Sequence, residues 1–280
     1  MLGSGLLGTI GIFVAHAHTD PLTLTWFRCA FGWLGLTLWM GLRRQGHTLR
    51  LSRRTSILVI SAGSLMVAAW ALFFVALQQI PTGMAVVLFH VQPLWLLLLG
   101  VCWLKERVGV RRILAVLIAL LGLVLATGLL SSVQEVAISS ERWLGIAACL
   151  LGALCTASVT LIAKRLAHLP SGVIVWWQCA IGTLVLCLWP ASHGWPAWGA
   201  SWGWLMGLGL LHTAVAYTLL YAGMATLATS RIALLQFVYP AVAVAIDWLY
   251  FRQTLDLLQW SGIVLICAAI WASERPASRS

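Results

Sequence analysis

Apolar residues in this chain come in long runs, broken at near-regular intervals by short polar or basic stretches. The runs occupy residues 2–15, 21–42, 56–78, 82–104, 112–130, 143–163, 172–189, 202–222, 229–251 and 256–272. About 20 apolar residues suffice to cross a bilayer as a helix. The pattern therefore predicts an all-α polytopic membrane protein with ten transmembrane helices. The longest polar connections are about a dozen residues, which leaves no separate soluble domain. The first run is short and only Met1 precedes it. It is read as a span, since neither a basic leader nor a small-residue cleavage site accompanies it.

The pattern is also written twice. Trp26-Phe27-Arg28-Cys29-Ala30-Phe31-Gly32 returns as Trp176-Trp177-Gln178-Cys179-Ala180-Ile181-Gly182. A shift of 147 residues then pairs Thr82 with Thr229, Leu88 with Leu235, Val91 with Val238 and Pro93 with Pro240, and Trp70 and Phe74 with Tyr217 and Tyr221. An odd number of spans separates the copies, so they cross the membrane in opposite senses. The expected organisation is two inverted five-helix repeats, 1–130 and 143–272, joined by an outer linker at 131–142 and followed by a tail at 273–280. Inverted halves around one midplane site are how many alternating-access carriers are built.

Composition agrees: 61% of residues are hydrophobic, 9% are charged and the mean hydropathy is +0.97, values that belong to membrane proteins. Charge then sets orientation. Arg43, Arg44, Arg50, Arg53, Arg54, Lys105, Arg107, Arg111, Arg112, Lys164, Arg165, Arg231, Arg275 and Arg279 fall on one side, against Arg142 and Arg252 on the other. Lys and Arg stay preferentially inside, which places both termini in the cytoplasm; the expected location is a bacterial cytoplasmic (inner) membrane. The net charge of +10 thus reflects topology and contact with anionic lipid heads. Loops this short offer no nucleic-acid surface.

Polar groups at membrane depth are costly and mark candidate function. Arg28, seven residues past Pro21, lies about 10 Å below the outer boundary at 1.5 Å per residue. Asp247 lies at a comparable depth, so the two are candidates for an ion pair, either a gate or a permanent structural contact; the alternative is an Arg28 that only hydrogen-bonds helix carbonyls. Pro93 and Pro240 fall near the midplane, where each removes a helical hydrogen bond and frees the carbonyls of Phe89 and Gln236. Beside these kinks, His90, Gln92, Trp95, Gln236 and Tyr239 are candidate substrate-binding residues, with Trp70, His212 and Tyr217 from neighbouring spans. The alternative is ordinary bending and packing. His90 and His212 are the midmembrane groups that titrate near neutral pH, and so the candidate proton sites.

Other features carry less. His16, His18 and Asp20 make a weak metal reading, and no metal or cofactor is expected. The cysteines, at 29, 102, 149, 155, 179, 187 and 267, form no CxxC pair and read as small apolar packing residues. Most of the seventeen tryptophans lie at span ends as interfacial anchors. The glycines at 203–209 follow no strand, which excludes a phosphate loop. An intramembrane enzyme acting on a lipid is the alternative function. It would need nucleophile, base and orienter at one depth, and the sequence offers isolated histidines. A monomer and a homodimer are both compatible with the pattern.

In their order, the Gly8-Thr9-Ile10-Gly11-Ile12-Phe13-Val14 opening, Asp20-Pro21 with Arg28, Pro93 with Leu104-Lys105-Glu106-Arg107, Gly122, His212-Thr213 through Tyr221-Ala222-Gly223-Met224, and Gln236-Phe237-Val238-Tyr239-Pro240 resemble the drug/metabolite transporter superfamily, in its EamA-type branch. The resemblance implies export or exchange of a small metabolite, commonly an amino acid or a drug-like organic compound. Gln178 departs from it where an arginine is family-like, and Gln253 stands where Glu106 sits in the first copy.

Overall fold

A carboxylate just before a proline is a strong helix start, because the carboxylate takes the free amides of the first turn and the proline has none to offer. Asp20-Pro21 does this in the computed structural model of the chain. Asp20 accepts from the N–H groups of Leu22 and Thr23 at 3.1 and 3.0 Å and opens α3 (Pro21–Leu42). The structure describes residues 1–106, 108–128, 140–252 and 254–274. Arg107, Gln253, Arg275, Arg279 and residues 131–139 of the linker lie outside these. Among the described residues no strand occurs.

The helices follow the apolar runs, with breaks inside several of them. The first run is two helices, α1 (Leu2–Gly8) and α2 (Ile10–Ala17), interrupted at Thr9. After α3 come α4 (Arg53–Gln79), the broken pair α5 (Thr82–Phe89) and α6 (Gln92–Leu104), and α7 (Val110–Ala126). The second half begins with α8 (Ser140–Arg165), so residues 140–142, expected in the linker, are helical. There follow α9 (Ser171–Val185), α10 (Leu188–His193), α11 (Ala200–Gly209), a π-helical segment Leu210–Val215, and α12 (Ala216–Thr226). A second broken pair, α13 (Thr229–Leu235) and α14 (Val238–Leu249), precedes α15 (Leu257–Glu274). Among the described residues six stretches are long and apolar enough to cross a membrane: Arg53–Gln79, Gly83–Leu104, Arg142–Arg165, Ser171–His193, Ala200–Thr226 and Thr229–Leu249. Shorter apolar helices lie at Leu2–Ala17 and Leu257–Ala272.

Small residues set the helix contacts, as expected where lipid removes the hydrophobic incentive and close backbone approach must supply dispersion instead. α4 packs along α8, α7 along α15, and α3 against α9 and α11. At the α3–α9 contact the duplicated motif packs on itself. A Cβ placed on Gly32 would lie 3.1 Å from the sulfur of Cys179, and one on Gly182 would lie 2.5 Å from the sulfur of Cys29. Each copy's cysteine thus fills the space left by the other copy's glycine. At the α7–α15 contact, Gly122 and Gly262 face each other's backbone.

Candidate functional site

Proline at 93 and at 240 interrupts two helices at corresponding places. α5 stops at Phe89 and α6 resumes at Gln92, and α13 stops at Leu235 and α14 resumes at Val238. The breaks meet, for the rings of His90 and Tyr239 stack at 5.7 Å and 18°. His90 Nδ1 lies 2.7 Å from the carbonyl of Val86. A carbonyl only accepts, so Nδ1 carries the proton and Nε2 is the nitrogen left to titrate. Gln92, at the start of α6, is half-buried and its side chain makes no hydrogen bond among the described residues. The Nε1 of Trp95 and the Oε1 of Gln236 are buried without partners among the described residues. Gln236 also lines a cavity of about 290 Å³ with Ser4, Leu220, Gly223 and Met224.

A second cluster surrounds Arg28. Its Nε donates to Thr213 Oγ1 at 2.7 Å, and that hydroxyl donates to the carbonyl of Leu208 at 3.0 Å, within the π-helical distortion. The rings of Trp70 on α4 and Tyr217 on α12 lie 5.3 and 5.4 Å from the guanidinium carbon. Tyr217 continues to Tyr221 at 6.0 Å between ring centres, and the Tyr221 hydroxyl donates to Gln178 Oε1 at 2.9 Å. Positions paired by the repeat, Arg28 with Gln178 and Trp70 with Tyr217, therefore belong to one run of contacts. Tyr239 lies within electrostatic reach of Arg28 and Tyr217, which links this cluster to the helix breaks.

The ion pair expected between Arg28 and Asp247 is not made. Asp247 is half-buried in the last turn of α14, while the guanidinium takes a threonine and two aromatic faces instead. Comparable depth is not adjacency. The ion pair found among the described residues is elsewhere, between Lys164 Nζ and Glu106 Oε1. His212, fully buried, turns to the break in the first run: its Nε2 lies 2.9 Å from Thr9 Oγ1 and its ring meets the edge of Phe13. His16 stacks on Trp204, and Asp20, besides capping α3, accepts from the indole of Trp189 at 2.9 Å. Among the described residues no three His, Cys, Asp or Glu side chains gather as metal ligands.

Sequence reasoning missed the fastening at the basic end. Glu106, in the turn after α6, bonds Lys164 of α8 through one carboxylate oxygen and accepts from the Thr229 amide at 3.0 Å through the other. Lys164 also donates to the Thr229 hydroxyl at 2.9 Å, and Arg112 to Ser230 at 2.8 Å. Burial raises the Glu106 carboxyl, but the Lys164 ammonium and the Thr229 donors outweigh it and hold the group below its ordinary 4.5. The available clue was an acid standing alone in a basic loop.

The sequence pattern of the EamA-like transporter family matches residues 1–128 and again residues 143–273. The chain is similar to an uncharacterized transporter, YxxF, of Bacillus subtilis (strain 168), with 28% identity over 95% of this chain and 85% of the relative. It is similar also to an uncharacterized transporter of Archaeoglobus fulgidus, with 29% identity over 98% of this chain and 94% of the relative. A solved crystal structure superposes with a TM-score of 0.84 over 97% of this chain and 93% of its own, at 18% identity, a likeness of fold alone. With the family pattern spanning nearly its whole length, this multi-pass membrane protein belongs to the EamA-like transporter family.

Proposed function

We propose that the chain is a secondary transporter of the bacterial cytoplasmic membrane. It exports or exchanges a small organic metabolite by alternating access between two inverted five-helix halves, with both termini in the cytoplasm. The observation that carries this reading is the meeting of the two proline-marked breaks through His90 and Tyr239. Interrupted helices facing each other near the midplane expose backbone carbonyls and polar side chains where a solute can be held between the halves. The reciprocal packing of Cys29 on Gly182 and Cys179 on Gly32 supports a duplicated, antiparallel arrangement, as does the twofold match of the family pattern. The basic residues around Glu106 support a cytoplasmic basic end. Gln92, Trp95, Gln236 and Trp70 are the further side chains proposed to line the path, and His90 Nε2 and His212 are the proposed sites of any proton coupling.

Counterflow in proteoliposomes tests the proposal. Purified protein loaded with an unlabelled amino acid or aromatic amphiphile is expected to accumulate the labelled solute transiently. Failure to exchange any of a panel of such solutes would overturn the carrier, and turnover of a lipid would put an intramembrane enzyme in its place.

A further inference from the structure

Arg28 is 9% exposed, and no carboxylate among the described residues lies within ion-pair distance of it. A cation at that depth costs several kcal/mol unless something answers its charge. Thr213 engages Nε, and Trp70 and Tyr217 supply cation–π attraction, which offsets part of the cost. These contacts also fix the plane of the guanidinium and leave its outer edge unused. Among the described residues the two terminal nitrogens find no acceptor, yet they are not sealed within the fold. That edge is the fork that matches a carboxylate with two parallel hydrogen bonds. Along the same run of contacts, Gln178 is 4% exposed, its oxygen is taken by Tyr221 and its amide nitrogen has no partner among the described residues.

We propose that Arg28 is the anchor for a carboxylate on the transported solute, with the Gln178 amide as a second donor. The inference rests on the carrier reading above and narrows its substrate class to small organic acids and zwitterions with an apolar or aromatic body. Free bases are excluded. The mismatch between the repeats then has a physical use. One copy supplies a full positive charge and the other a neutral donor, which suits a single negative charge, whereas two arginines would call for a dianion.

The test reads binding without transport. Thermal denaturation of the detergent-purified chain is followed with two matched pairs, L-phenylalanine against L-phenylalaninamide and 3-phenylpropionate against 3-phenylpropionamide. Each acid is expected to bind at least about tenfold more tightly than its amide, the scale of a charge-assisted hydrogen bond. Arg28→Gln should abolish that preference, and Arg28→Lys should keep a reduced one. Equal binding of acid and amide by the wild-type chain, binding of none of the four, or an undiminished preference in a folded Arg28→Gln chain each overturns the anchor. Counterflow separates this from failure of the carrier reading: exchange confined to solutes without an anionic group sinks the anchor and leaves the transporter standing, and no exchange at all sinks the transporter.

Discussion

Glu106 and Arg28 show two ways of keeping a charge in so apolar a chain. Glu106 lies beyond the end of α6 and is answered by Lys164 and Thr229. Its carboxyl is held below 4.5 although burial works the other way. A carboxylate whose folded pKa is depressed stabilises the protein above its unfolded pKa, and that contribution is lost as pH falls through the folded value. Denaturation followed from neutral pH downwards should therefore find Glu106→Gln less stable than wild type by about 1 kcal/mol, the worth of a partly exposed pair. The gap should close below pH 4.5. A gap constant across that range would show that the pair contributes nothing through its charge. Arg28 is the contrary case, answered by a hydroxyl and two rings. Its place along α3 was legible by counting from Pro21, and that of Asp247 along α14 from the apolar run. Their separation was not, because a linear sequence fixes height along a helix and leaves open which helices adjoin. The same blindness hid Glu106 from Lys164, 58 positions away.

At the level of helices, the prolines announced the breaks at 90–91 and 236–237, since a missing amide and a ring in the preceding turn must interrupt the ladder. Nothing announced the break at Thr9 or the π-helical Leu210–Val215. There the residues stay apolar, and what changes is the hydrogen-bond register, which hydropathy does not encode. Close helix contacts are only half visible: a glycine is easy to see, but not what it faces. Gly203 and Gly262 make the distinction measurable. A Cβ on Gly203 meets nothing within 4 Å, whereas one on Gly262 would collide with the carbonyl oxygen of Gly122 and the amide nitrogen of Ala126, neither of which can step aside as a side chain could. Gly262→Ala should destabilise the α7–α15 pair by about 1–3 kcal/mol. Gly203→Ala should be neutral or stabilising by up to about 1 kcal/mol, since alanine loses less backbone freedom in a helix. Equal melting of the two variants would mean that the close approach of α7 and α15 is not maintained in the folded protein.

Across the whole molecule, the two halves pack along α4 with α8 and α7 with α15, touch in the middle of α3 and α9 through the Cys29–Gly182 and Cys179–Gly32 exchange, and are fastened at the basic end through Glu106, Lys164, Thr229, Arg112 and Ser230. The middle contact is apolar and close, suited to a pivot that persists while its surroundings tilt. The basic end is held by polar bonds that water can replace, so it is the part able to open at small cost. The alternating access proposed above makes a definite demand of it: a solute released to the basic side would have to pass between segments now fastened by Glu106 and Arg112. Replacing Arg112 and Ser230 by cysteines in a chain whose seven native cysteines are removed allows that fastening to be made covalent with a short bifunctional methanethiosulfonate, and undone with a reductant. Counterflow should fall at least about tenfold on cross-linking, return on reduction, and be untouched by the reagent when either cysteine is present alone. The stabilisation by L-phenylalanine expected of the Arg28 site should survive cross-linking, because a closed basic end leaves that site reachable from the opposite side. Full counterflow with the cross-link intact would mean that the two halves need not part there, and the rocking of one against the other would lose its basis.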